Sequence, residues 1–248
     1  MLFNVTCTRM PVLKLNDCLE GLREIESDSI NCVVTSPPYN KNGLQGKTTP
    51  GNQIWDKFNI DYDKCEDNMP EDLYQDWMVA VLDELHRVLK PDGSIFFNHK
   101  PRRHKNQAYL PTDFISRSSA VVYQLIIWDR RSSPNIRKDV LVPCTEHIYW
   151  LRKKKPKVFR DSLPPEYIGE VWRITAPKQK LHPAPFPELL VENCIKLSTE
   201  PGDVVLDPFC GSGTAGVVSH NLGRKFIGIE YDDKYFEIAS QRIANLST

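Results

Sequence analysis

The chain has 248 residues, 40% hydrophobic and 26% charged, which suits one α/β domain with a sizeable core. Lys plus Arg balance Asp plus Glu at 32 each, and the seven cysteines contain no C-x-x-C pair. The cysteines speak against a disulfide framework and a zinc or other metal site, and a balanced net charge does not exclude nucleic acid when one face is basic. No apolar run nears the roughly 20 residues of a membrane span.

In chain order, short apolar and β-branched runs predict strands at 12–15, 31–35, 94–98, 121–128, 146–151, 203–206 and 225–229. A helix is predicted over 72–89, with Leu73, Trp77, Val81, Leu85 and Val88 on one stripe and a stop at Lys90-Pro91-Asp92-Gly93. A second helix is predicted over 187–197, before Pro201-Gly202. Strands alternating with helices imply a mainly parallel, seven-stranded sheet covered on both faces, in a single domain over 1–248. Polar or basic connections at about 40–70, 100–119, 130–142 and 153–165 are long enough to carry function. Charge is uneven. Residues 56–92 hold 4 basic and 11 acidic side chains, whereas residues 100–160 hold 15 basic and 4 acidic.

Two motifs carry chemistry. The first is Val204-Val205-Leu206-Asp207-Pro208-Phe209-Cys210-Gly211-Ser212-Gly213-Thr214, a buried strand that runs through an acid and a glycine turn into a helix. Glycines let the backbone approach a ligand, and a helix N-terminus favours an anion. A second strand then ends in Glu230, followed by Tyr231, where an acid is placed to accept both ribose hydroxyls of a nucleoside-type cofactor. The pattern G-S-G-T departs from the dinucleotide G-x-G-x-x-G. The remaining strands precede this half, so the motif order is circularly permuted. The second motif is Ser36-Pro37-Pro38-Tyr39, which leaves the strand that ends at Thr35. Ser36 Oγ and the Pro37 carbonyl can accept the two N–H groups of a ring-conjugated amine and free its lone pair. The prolines remove competing donors, and Tyr39 offers a flat face for stacking.

Together these motifs resemble the DNA amino-methyltransferases of the permuted (beta) class, the N4-cytosine and N6-adenine enzymes. The resemblance implies a Rossmann-like methyltransferase fold and S-adenosyl-L-methionine as cofactor. It implies cofactor contacts from Asp17 and Cys18 after the first strand, from Thr35, and from His182, Pro183 and Phe186 on the methionine side. It implies further contacts from Asp207, Pro208, Phe209, Gly211, Gly213, Thr214, Glu230 and Tyr231. Ser36, Pro37, Pro38 and Tyr39 become the catalytic motif, acting on a base flipped out of double-stranded DNA. Serine at the first position favours cytosine N4. Adenine N6 is the alternative, and other planar amines or a non-catalytic nucleic-acid-binding subunit are more distant ones.

Phosphate contacts are expected from Arg102, Arg103, Arg130, Arg131, Arg137, Lys138, Lys153, Lys154 and Lys155. Cys144 follows a proline, as in enzymes with a thiolate nucleophile, but it precedes a strand and reads as structural. The residues at 1–10 carry no secretory pattern, so an intracellular setting is expected: the cytoplasm or nucleoid of a prokaryote, or the nucleus of a eukaryote. The expected setting is restriction-modification. Monomer and homodimer both stay open.

Overall fold

The computed structural model describes residues 11–40, 69–104, 107–131, 138, 140–176 and 186–246. Its sheet has eight strands in the spatial order β1 (Val12–Leu15), β10 (Lys225–Glu230), β9 (Val204–Asp207), β2 (Ile30–Thr35), β3 (Leu89–His99), β7 (Thr145–Arg152), β6 (Val121–Asp129) and β8 (Val171–Arg173). The first five are mutually parallel. β7 runs antiparallel to β3 and to β6, and β8 is parallel to β6. A separate hairpin joins β4 (Arg102–His104) to β5 (Gln107–Tyr109).

All seven strands read from the sequence are present, and the sheet gains an eighth. Val171-Trp172-Arg173 is too short to show a period, but Trp172 is 1% exposed and anchors the strand to the core. The Lys90–Gly93 stop becomes a bulge inside β3, where the register against β2 jumps between Ile30–Leu89 and Cys32–Ser94. Gly93 suits that bulge, because a Cβ there would lie 2.8 Å from the Asn31 carbonyl oxygen.

Side-chain alternation divides the core in two. Val33, Ile95, Phe97, Leu206 and Ile229 face α1 (Cys18–Arg23), α2 (Glu71–Val88) and α3 (Thr112–Ile115). Cys32, Val34, Phe96, Val205 and Phe226 face α4 (Glu188–Ser198), α5 (Thr214–Asn221) and α6 (Asp233–Ala244). The result is a helix–sheet–helix sandwich.

The expected stripe of α2 holds at Val81, Leu85 and Val88, with Trp77 partly buried beside it, and fails at Leu73. Leu73 is 56% exposed, and the buried face begins at Tyr74 and continues through Met78, Val81, Leu82, Leu85 and Val88. Met78 and Leu82 centre the buried face beside Tyr74, and the Tyr74 hydroxyl is satisfied there, donating to the Pro38 carbonyl at 2.8 Å and meeting His99 Nε2 at 2.8 Å. Replacing Leu85 with Ala should therefore cost about 2–5 kcal/mol in chemical denaturation. Replacing Leu73 with Ala should change stability by less than about 0.5 kcal/mol. Equal losses would restore the stripe expected from periodicity.

Candidate active site

β1, β10, β9 and β2 are parallel neighbours, so their carboxyl ends open on one edge of the sheet. Chain connections diverge on either side of the β9–β2 pair, the position where open α/β sheets form a ligand crevice. Asp17, Glu230, Asp207 and Thr35-Ser36 all lie on this edge, although they are scattered over more than 200 residues of chain.

A cleft of about 470 Å³ opens beside β1, lined by Leu15, Asn16, Asp17, Glu20, Tyr231 and Asp233. Asp17 caps α1, its Oδ1 accepting from the backbone of Leu19 (2.9 Å) and Glu20 (3.2 Å). That leaves Oδ2 for a donor in the cleft. Tyr231 is 46% exposed at the rim. Cys18 corrects an expectation for its side chain: the thiol is buried in the core under α1 and is not part of this cleft's lining.

Glu230 is held by backbone. Oε2 accepts from Gly211 N at 2.6 Å, and Oε1 accepts from Tyr231 N (3.0 Å) and Asp232 N (2.9 Å). A carboxylate offers about four acceptor positions, so this conformation leaves one for a ribose hydroxyl where two were expected. Burial raises its pKa, and the three backbone donors oppose the shift. The glycine turn is tight. Gly213 N donates to Cys210 O at 2.9 Å, and Gly213 has φ 78°, with Ala239 only 3.0 Å from where a Cβ would stand. Pro208 and Thr214 are buried in the turn, Phe209 packs edge-on against Trp77 at 5.8 Å, and Phe186 packs on the α4–α6 core. His182 and Pro183 lie outside the described residues.

Asp207 is 3% exposed and accepts from Thr35 Oγ1 at 2.8 Å and from Phe209 N at 3.1 Å. Burial pushes its carboxyl up to about 7, against the lowering effect of these two donors, and the Glu230 carboxylate adds to the rise.

Next to Thr35, the Ser36–Tyr39 turn is fastened from three sides. Pro38 O is taken by Tyr74, whereas the Pro37 carbonyl accepts no hydrogen bond among the described residues. Ser36 Oγ meets Tyr39 Oη at 2.8 Å. Tyr39 Oη donates to Glu146 Oε2 at 3.0 Å, and Asn98 Nδ2 donates to Tyr39 Oη (2.7 Å), Glu146 Oε2 (2.9 Å) and, more distantly, Ser36 Oγ (3.4 Å). The Tyr39 ring is only 9% exposed and lies 4.5 Å from the His99 ring, with Lys100 Nζ 5.5 Å over it. Little of the expected stacking face is open in this conformation, and the hydroxyl is the more engaged end.

Asn98 and Glu146 were not read from the sequence as site residues. The available signal was a polar residue in each of two otherwise apolar strands, Asn98 near the end of β3 and Glu146 near the start of β7.

A family model described as DNA methylase (N6_N4_Mtase) matches residues 30–241. The chain belongs to this N6/N4 DNA methylase family. It is 30% identical to the type II methyltransferase M.BglII of Bacillus subtilis, over 91% of this chain and 66% of that protein. It is 28% identical to the DNA adenine methyltransferase YhdJ of Escherichia coli K12, over 92% and 80% respectively. The solved PvuII DNA methyltransferase, described as cytosine-N4-specific, superposes with a TM-score of 0.75 at 23% identity, covering 94% of this chain and 88% of that one.

The basic residues of this DNA methylase fall into three groups. Arg103 and Arg131 are exposed and follow strands that end on the active-site edge. Lys138 is also exposed, and Arg137 lies outside the described residues. Arg102 and Arg130 turn inward. Arg102 forks onto both oxygens of Glu71 at 2.6 Å with its side chain 4% exposed, and Arg130 Nη1 reaches Glu146 Oε1 at 3.0 Å. The run Lys153–Lys155 begins just past the far end of β7, seven residues and roughly 23 Å from Glu146 at strand spacing. There Lys153 pairs with Asp28 at 2.6 Å and with the Arg87 and Leu89 carbonyls, and Lys154 and Lys155 are solvated. Contrary to expectation, neither Arg102 nor this run is placed to meet phosphates at the site: one is buried in an ion pair, and the other lies on the opposite edge of the sheet. Among the described residues no His/Cys/Asp/Glu cluster could hold a metal, and no helix is long and apolar enough to cross a membrane.

The raised carboxyl of Asp207 makes stability depend on pH. An unfolded aspartate titrates near about 3.9, so between that value and about 7 the folded state holds the extra proton. Stability from this group is complete below the unfolded value and is lost as pH rises through the folded one. Asp207→Asn should match the wild type in thermal melts at pH 4 and exceed it at pH 8. Parallel melting curves across that range would show that the carboxyl is not displaced.

Proposed function

We propose that the chain transfers a methyl group from S-adenosylmethionine to the exocyclic N4 amine of cytosine in DNA, after the base leaves the duplex. The observation that carries this reading is the juxtaposition at Thr35–Asp207. It holds the Ser36–Pro37 acceptor pair beside the glycine turn of the cofactor half. The donor's residues fit: Asp17 and Tyr231 at the cleft, Glu230 toward the ribose, the 207–214 turn beneath, and Phe186 on the methionine side. When bound, S-adenosylmethionine supplies an electrophilic methyl carbon on a positively charged sulfur.

The chain's own contribution is placement and polarity. Ser36 Oγ and the Pro37 carbonyl accept the amine N–H groups, which makes the nitrogen more tetrahedral and localises its lone pair. That pair forms the new N–C bond, the C–S pair returns to sulfur, and the amine gives up one proton to solvent. Holding both reactants in line supplies most of the acceleration. Cys144 is not needed, because no adduct to the ring forms. Serine at position 36 favours cytosine, since a small neutral acceptor accompanies that base in the resembling enzymes. Arg103 and Arg131 contact the phosphates at the site's edge.

Wild-type protein incubated with duplex DNA and S-adenosylmethionine should yield N4-methylcytosine on nucleoside mass spectrometry. Exclusive N6-methyladenine would overturn the base assignment and keep the reaction class. Arg103→Ala with Arg131→Ala should weaken DNA binding and lower the salt slope by about 1–2, whereas Lys154→Ala with Lys155→Ala should leave both unchanged. The reverse pattern would put DNA at the opposite edge of the sheet.

A further inference from the structure

The reading of Ser36 as an acceptor raises a question of hydrogen-bond direction. A hydroxyl carries one proton, and if Ser36 spent it on the base amine it would oppose the N–H group it is meant to receive. The direction is set on a neighbouring strand. Glu146 is 6% exposed, and its Oε1 is paired with Arg130 Nη1 at 3.0 Å and lies 3.9 Å from Lys100 Nζ. An ion-paired carboxylate has only lone pairs to offer, so Tyr39 Oη must donate its one proton to Glu146 Oε2. Tyr39 has that proton to give: burial, and then the Glu146 charge, push its phenol well above the usual value. With its proton spent, Tyr39 Oη can only accept at 2.8 Å from Ser36, so Ser36 is the donor in that pair. Asn98 Nδ2 supports the same sense, because its two amide protons go to Tyr39 Oη at 2.7 Å and Glu146 Oε2 at 2.9 Å, both of which accept, and Ser36 Oγ is only its distant third contact at 3.4 Å.

From this chain of bonds we infer that Glu146 is a positioning residue for methyl transfer. Acting through Tyr39, it draws the Ser36 proton inward and leaves Ser36 Oγ presenting lone pairs to the base amine. The inference rests on the amine-methylating reading above and adds the element that orients its acceptor. Glu146 acts through Tyr39: its oxygens are taken up by Tyr39, Asn98 and Arg130. A glutamine at 146 would break the polarity. If its oxygen stays on Arg130, its amide N–H₂ faces Tyr39 Oη, and the proton order Ser36-to-Tyr39-to-146 reverses. The Ser36 hydroxyl then points outward at the amine. If the amide is flipped, two donors face each other at Arg130.

The test is a double-mutant cycle on single-turnover methyl transfer, at saturating DNA and S-adenosylmethionine, with Glu146→Gln, Tyr39→Phe and the double variant. Each single variant should slow transfer about 10- to 100-fold, the range of a lost charge-assisted hydrogen bond. The dissociation constant for S-adenosylmethionine should stay within about twofold. The double variant should be no slower than the slower single, because both changes cut one chain. Transfer at the wild-type rate in Glu146→Gln, or multiplicative losses in the double variant, would overturn the inference. If Glu146→Gln does not fold, Tyr39→Phe decides: it keeps the Glu146–Arg130 pair, and a wild-type rate there rejects the chain. Wild-type protein that makes no methylated base would remove the underlying reading and the inference with it. Wild-type product with an unimpaired Glu146→Gln removes the inference alone.

Discussion

A single buried hydrogen bond, Thr35 Oγ1 to Asp207 Oδ1 at 2.8 Å, fixes the two halves of the site to each other. Its partners are 172 residues apart in sequence but sit at the carboxyl ends of paired parallel strands, where Val33 is in register with Leu206. Backbone pairing brings the strands together, and this side-chain bond sets how the Ser36 turn and the glycine turn leave them. In-line transfer is sensitive to displacements of about 1 Å, so a link at the root of both turns limits their independent motion. The same bond explains why a carboxyl is tolerated in the sheet interior. Its donors offset part of the burial cost, and the remainder appears as the raised affinity of Asp207 for a proton.

The parallel and antiparallel parts of the sheet contribute different chemistry. β1, β10 and β9 present carboxylates whose oxygens are held by backbone N–H groups: Asp17 by Leu19 and Glu20, Glu230 by Gly211, Tyr231 and Asp232, and Asp207 by Phe209. Such groups have little rotamer freedom, which suits recognition of a fixed ligand. β3, β7 and the residue after β6 instead present side chains that hold one another: Asn98, Glu146 and Arg130. A buried network of this kind is stabilising only when its members are satisfied. Here the exceptions include Asn98 Oδ1 and Arg130 Nε, which have no hydrogen-bond partner among the described residues.

Much of this was legible in the sequence, because the signals were local. Apolar, β-branched runs of four to eight residues gave every strand that packs on both faces. The glycine turn and the Ser-Pro-Pro-Tyr turn are contiguous, so their chemistry could be read directly. What escaped depended on partners. Glu146 and Asn98 acquire a role only because β3 and β7 pair antiparallel, with Asn98 opposite Ile148. Arg102 and Arg130 look like any exposed base until Glu71 and Glu146 are seen beside them. Leu73 fits the helical period, yet the buried face centres on Met78, Leu82 and Leu85 and takes in Tyr74, whose hydroxyl finds partners at Pro38 and His99 that only the fold supplies.

Chain order matters less to this site than strand adjacency. The cofactor half, β9 and β10, comes last in sequence but pairs with β1 from the start of the chain and β2 from its first third. Three carboxylates and the Ser36 turn therefore meet on one edge regardless of where the chain begins. That edge is polarised across its width, from backbone-held carboxylates at β1, β10 and β9 to the Glu146–Arg130 ion pair beyond β3. The hydroxyls of Ser36 and Tyr39 lie between two acidic poles, Asp207 on one side and Glu146 on the other. Asp207 bonds Thr35 and the backbone of Phe209, whereas the Tyr39 hydroxyl goes to Glu146, so Glu146 is the acid that acts on those hydroxyls. The orientation of the Ser36 proton is thus a property of the sheet's antiparallel extension, and a seryl turn on the parallel strands alone would leave it undetermined.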